Sequence, residues 1–96
     1  MNRYELVYIV DAHLPAQEKD EVTRQMQEGI QKLEGKIINS SVWLEKHRFS
    51  FPMKRVWEGS YYLVNFDAPA AAVGKLRQNL RLNERLLRHL IIRLDE

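Results

Sequence analysis

The chain has 96 residues, 45% hydrophobic and 29% charged, enough for one domain spanning 1–96 with a single modest core and too short for two. It has no cysteine, which excludes disulfides and thiolate chemistry and fits a reducing compartment. The net charge is only +2, but it is unevenly spread: residues 1–35 hold four basic and seven acidic side chains, whereas residues 36–93 hold eleven basic and four acidic. Asp95 and Glu96 restore the small total. A strongly basic second part points to an anionic partner for one face.

The opening MNRYELVYIVDAH lacks a basic segment followed by a long apolar run, and no stretch approaches the length of a membrane span, so the expectation is a soluble intracellular protein. Arg3–Val10 is short, β-branched and aromatic, which predicts a strand. Both of its alternation sets are largely apolar, as in a central strand covered on both faces. Pro15 suits the first turn of a helix. Val22, Met26, Ile30 and Leu33 then form a buried stripe, with Glu18, Asp20 and Glu21 early in the helix and Gly35 just past its end. Lys36–Phe51 reads as a second, less regular strand that Pro52 ends or bends. A loop over Met53–Glu58 and a third strand from Gly59 to Phe66 follow. Asp67-Ala68-Pro69 opens a second helix with Val73, Leu76 and Leu80 on its buried side. Leu86–Leu94 is the last strand. The order βαββαβ, with right-handed crossovers, gives an α+β ferredoxin-like sandwich: a four-stranded antiparallel sheet with two helices on one face.

In that arrangement the other sheet face is free, and alternation assigns Val7, Ile9, Tyr61, Leu63 and Ile91 to it. An apolar patch there predicts a protein contact. It is not a stacking platform for RNA bases, because the first strand offers aliphatic groups where rings would be needed. The chemistry of a catalyst is missing from the pattern. His13, His47 and His89 lie far apart without metal-ligand spacing, and no phosphate loop, nucleophile elbow or dinucleotide fingerprint occurs, so neither enzyme nor cofactor is expected. The basic residues gather in two groups. Lys46, Arg48, Lys54 and Arg55 flank the bend at Pro52, and Arg77, Arg81, Arg85 and Arg88 run from the second helix into the last strand. Clusters on strand ends and loops suit an RNA backbone better than base edges. The alternative on these features is a homo-oligomeric or ligand-sensing module with no RNA role, which explains the apolar face but not the charge bias.

Four segments in order, RYELVYIV, FSFPMK, EGSYYLVNFDAP and LRLNERLLRHLIIR, resemble the bacterial small-subunit ribosomal protein six family over nearly the whole chain. The resemblance implies a ferredoxin-like, non-enzymatic constituent of the small ribosomal subunit, cytoplasmic, binding small-subunit rRNA together with the eighteenth small-subunit ribosomal protein. It implies no membrane and no small-molecule substrate. Residue by residue, Ser50, Pro52 and Lys54 match the family's central motif and Arg48 fills one of its basic places. Glu45 stands where glycine is usual, His47 where a basic residue is, and Phe49, Phe51 and Met53 replace leucine, tyrosine and isoleucine. Near the end, Leu80-Arg81-Leu82 and Leu86-Leu87-Arg88 follow the family pattern, with Asn83 where aspartate is common. The resemblance thus implies phosphate contacts from Arg3, Lys46, Arg48, Lys54, Arg55, Arg81, Arg85 and Arg88. It implies protein contacts from Phe49, Phe51 and Met53 together with the free sheet face.

Overall fold

The computed structural model describes residues 1–94; Asp95 and Glu96, which enter the charge balance above, lie outside the described residues. The elements are β1 (Asn2–Asp11), α1 (Ala16–Lys32), β2 (Lys36–Met53), β3 (Val56–Ala68), α2 (Ala70–Leu82) and β4 (Leu86–Leu94). They build one antiparallel sheet in the order β2-β3-β1-β4, so the apolar β1 is central, as its double-sided pattern predicts. β2 and β4 are the edges, which is where a strand can carry Pro52 without losing a ladder bond.

Both helices cover the face bearing Tyr4, Leu6, Tyr8 and Val10. Val22, Met26 and Ile30 of α1 and Val73, Leu76 and Leu80 of α2 close the core against them, with Val64 and Phe66 of β3 beside. Ring stacking reinforces the strand pairing: Tyr4 lies 5.6 Å from Phe66, and Tyr8 lies 5.1 Å from Tyr62. The Tyr8 hydroxyl donates to Thr23 Oγ1 of α1 at 3.2 Å, and burial pushes its phenol up to about 12. That hydroxyl therefore stays protonated and uncharged beneath the helices.

α1 ends in a Schellman motif: the Gly35 amide donates to the Ile30 carbonyl and the Glu34 amide to that of Gln31. The left-handed residue is Glu34 at φ 66°, not Gly35. Gly35 is required for space instead, because a Cβ there would lie 2.5 Å from Ile30 Cγ2 and 2.7 Å from its carbonyl oxygen.

Two sequence expectations need correction here and a third is narrowed. The loop over Met53–Glu58 is only a two-residue hairpin turn, Lys54-Arg55, with Met53 paired to Val56. Both turn residues have positive φ, 48° and 66°, the geometry that matches the twist of paired strands but normally selects asparagine or glycine. Of the two expectations for Pro52, ending β2 or bending it, the second holds: β2 runs on to Met53 and bulges between Arg48 and Met53. Finally, Ile91 does not reach the free face. It pairs with Leu6, is 7% exposed and belongs to the core; Leu90 and Ile92 are the outward neighbours, opposite Val7 and Glu5.

Candidate nucleic-acid interface

The α2–β4 connection is shaped by Asn83. Its amide closes the last turn of α2 on the Leu80 carbonyl at 3.2 Å, its carbonyl accepts from Leu86, and its Oδ1 accepts from the Arg85 amide at 3.0 Å. The side-chain amide also reaches Gln25 of α1 at 3.3 Å. This neutral side chain ties the bend down, while Glu84, the carboxylate next to it in the turn, is exposed and does not line the cleft described below. Arg81 thereby sits in the last turn of α2, where a cation complements the helix dipole.

β4 then bulges. Leu86 pairs with Val10 and Arg88 with Ile9, leaving Leu87 as the extra residue. The tip of the β2–β3 hairpin folds against this bulge, and Lys54 Nζ donates to the Leu86 carbonyl at 2.9 Å. The result is one open cleft whose lining includes Lys54, Arg81, Asn83, Leu86, Arg88 and His89, with no carboxylate. Among the described residues, no carboxylate lies within ion-pairing distance of Lys54, Arg55, Arg81 or Arg88. Cations left without counter-charges on exposed side chains have the chemistry that suits an anionic group.

The remaining expected phosphate contacts lie elsewhere, and most are already engaged. Arg3 forks onto Asp67, with its Nε at 2.9 Å and Nη2 at 3.3 Å from the two carboxylate oxygens. That hydrogen bond, more than any other influence, holds the Asp67 carboxyl below the usual range. Arg85 turns toward α1, 3.4 Å from Glu21 Oε1. Lys46 lies 3.8 Å from Glu58, which His13 also approaches at 3.1 Å. The Arg48 guanidinium lies over the Trp57 ring, 5.4 Å from its centre. So Lys54, Arg81 and Arg88 come together, Arg55 adjoins them at the turn, and Arg3 and Arg85 do not join them.

Sequence spacing tests the histidines only as metal ligands and so misses His89. The signal that places it is its position directly after Arg88 in a strand running beside α2. Burial lowers its pKa below the ordinary histidine value, and the charges of Arg81 and Arg77 lower it further. Among the described residues, no three histidine or carboxylate side chains are grouped to hold a metal ion. No helix of the described residues is long and apolar enough to cross a membrane.

The expected protein-contact residues also divide. Phe49 folds over the free face of the sheet instead of projecting from it. It packs beside Tyr61, 6.3 Å between centres, and occupies the space above Gly59 and Ile9. Both Phe49 at 6% and Ile9 at 5% exposure are thus closed to a partner, a correction to their assignment as contact residues. Phe51, at 79%, projects freely, and Met53, Val7, Tyr61 and Leu63 stay partly exposed. His47 and Trp43 pack edgewise on Tyr61, so the upper part of this face carries an aromatic lid. Leu90 and Ile92 continue an open apolar strip along β4.

Comparison with known proteins agrees with this architecture. A family model described as ribosomal protein S6 matches residues 3–93. The small ribosomal subunit protein bS6 of Alkaliphilus oremlandii is 34% identical over 96 residues, covering all of both chains. That of Carboxydothermus hydrogenoformans is 29% identical over the whole of this chain and 99% of its own. The crystal structure of 30S ribosomal protein S6 from Thermotoga maritima superimposes with a TM-score of 0.89, covering 97% of this chain and 87% of that one at 20% identity, which shows the shared fold. The chain belongs to the ribosomal protein S6 family, structural proteins of the small ribosomal subunit and not enzymes.

Proposed function

We propose that this protein is a structural constituent of the small ribosomal subunit that binds small-subunit rRNA together with the eighteenth small-subunit ribosomal protein, and works in the cytoplasm as part of that subunit. The observation that carries the RNA half is the carboxylate-free cleft in which Lys54, Arg81 and Arg88 converge. Three cations at one mouth offer charge-assisted hydrogen bonds to backbone phosphate without reading base edges. The protein half is supported by the exposed Phe51 and by the strip of Val7, Leu63, Leu90 and Ile92, apolar surface that a partner would cover. A chain of net charge +2 with few free cations binds RNA weakly by itself, because each neutralised phosphate adds only a modest salt-dependent increment.

Equilibrium binding to a central-domain rRNA fragment, with and without the eighteenth small-subunit protein, tests the reading. Tight binding is expected only when the partner is present. A folded sample that binds no RNA in any combination, or that forms a stable homodimer indifferent to RNA, would overturn it in favour of the oligomeric alternative.

A further inference from the structure

His89 is the one titratable group in the cleft whose charge can change near neutral pH. It lies half-buried on β4, and every neighbouring element presents it with positive or neutral groups. α2 contributes Arg77 and Arg81, whose charges act on it directly, and Lys54 of the hairpin turn lines the same cleft. From β1 beneath, its cross-strand neighbour is Tyr8, a buried and protonated phenol bonded to Thr23. In the free protein the imidazole is therefore held neutral by burial and by the surrounding cations.

A phosphate entering this cleft reverses both influences on the ring. It places negative charge among the arginines and offers an acceptor to an imidazolium N–H. We infer that His89 is a further phosphate ligand of the cleft and takes up one proton from solvent as the RNA backbone binds. The inference rests on the reading of the cleft as a phosphate site. No covalent bond changes; a neutral imidazole gains a proton and becomes a donor to a phosphate oxygen.

Linkage gives this arrangement two opposite signs. In the free protein the folded-state pKa of His89 lies below the unfolded one, so the unfolded chain binds the proton more readily. Stability is then complete above the ordinary histidine value and declines as pH falls through it. For the RNA complex the bound state takes the proton more readily, so affinity rises as pH falls through the same window. A histidine that served only packing would show the first effect without the second.

The test is affinity for the central-domain fragment, with the eighteenth small-subunit protein present, from about pH 8 to about pH 6 at constant ionic strength. The chain has two other histidines, His13 and His47, so the wild-type slope is read against His89→Gln. The expected result is a gain of about tenfold for the wild type, the equivalent of one unit of pKa change, most of which disappears in His89→Gln. His89→Lys, with a fixed charge, should bind with little pH dependence. NMR titration of the His89 ring should show its pKa rising on RNA binding. Binding by both wild type and His89→Gln with the same pH slope, or an imidazole pKa unmoved by RNA, would overturn the inference and leave the phosphate site standing. A wild type that binds at no pH would overturn the phosphate reading itself, and this inference with it.

Discussion

Replacing Arg81 and Arg88 together with glutamate should weaken partner-assisted rRNA binding by about three orders of magnitude while the fold survives. Each arginine is exposed, and neither has a carboxylate partner among the described residues, so the substitutions break no ion pair and open no cavity. Their cost in stability should stay within about 0.5 kcal/mol apiece, apart from the missing complement of Arg81 to the α2 dipole. The binding loss is large because a charge-assisted hydrogen bond contributes about 1.5–3 kcal/mol, and a carboxylate in its place repels the phosphate as well. Arg85→Glu is the informative control. Arg85 faces Glu21 outside the cleft, so its reversal should disturb the α1 side of the connection and affect RNA binding far less. Circular dichroism and fluorescence anisotropy on the same samples separate the two effects. Unchanged affinity in the double variant would remove the cleft from the interface.

Phe49→Ala should lower stability by about 3 kcal/mol, whereas Phe51→Ala should leave it nearly unchanged. The two rings stand two residues apart on one edge strand, yet one is 6% exposed and the other 79%. Phe49 fills the space above Gly59, where a Cβ would collide with it and with Ile9 Cγ2. Truncation leaves a void bordered by Tyr61 and Ile9, which the rigid sheet beneath cannot close. For a domain of this size that is a drop of roughly 12–24 °C in Tm. Phe51→Ala should instead weaken association with the protein partner, because the ring has nothing of its own chain to cover. Chemical denaturation followed by partner titration reads both outcomes. Equal, small stability changes for the two variants would mean that Phe49 does not close this face.

The same pair of residues shows where sequence reasoning succeeds and where it stops. Strand β4 falls on its expected limits, Leu86–Leu94, because a short run rich in leucine and isoleucine directly after a helix and turn has few other solutions. The helix stripes Val22-Met26-Ile30 and Val73-Leu76-Leu80 are likewise the buried ones. Facing within strands was less legible. Counting alternately from Leu86 puts Ile91 outside, but the bulge at Leu87 inverts every later position and carries Ile91 into the core. β2 is bulged at several points as well, and its Phe49 folds over the free face of the sheet; no local residue pattern announces either. The Lys54-Arg55 turn was hidden for a related reason. It adopts a backbone usually signalled by glycine or asparagine, while its own residues signal only charge.

That turn also explains how much of the site the sequence could disclose. Both basic groups were visible as composition, but their convergence depends on a tight hairpin reaching β4 through the Lys54–Leu86 hydrogen bond. Left-handed backbone at two non-glycine residues costs of order 1–3 kcal/mol each, and it places Lys54 at the cleft mouth beside the arginines. Conversely, Arg3 and Arg85 look equally free in the sequence, and only the fold shows Asp67 and Glu21 beside them.

The central claim is that the cleft of Lys54, Arg81 and Arg88 holds rRNA phosphate. Its most direct test is the salt dependence of partner-assisted rRNA binding by the wild type and by a variant in which Arg81 and Arg88 are both glutamine. Log affinity should fall linearly with log salt concentration, and the variant's slope should be shallower by about two, one for each phosphate that is no longer neutralised. Identical slopes, whatever the change in affinity, would contradict the claim that these arginines neutralise phosphate.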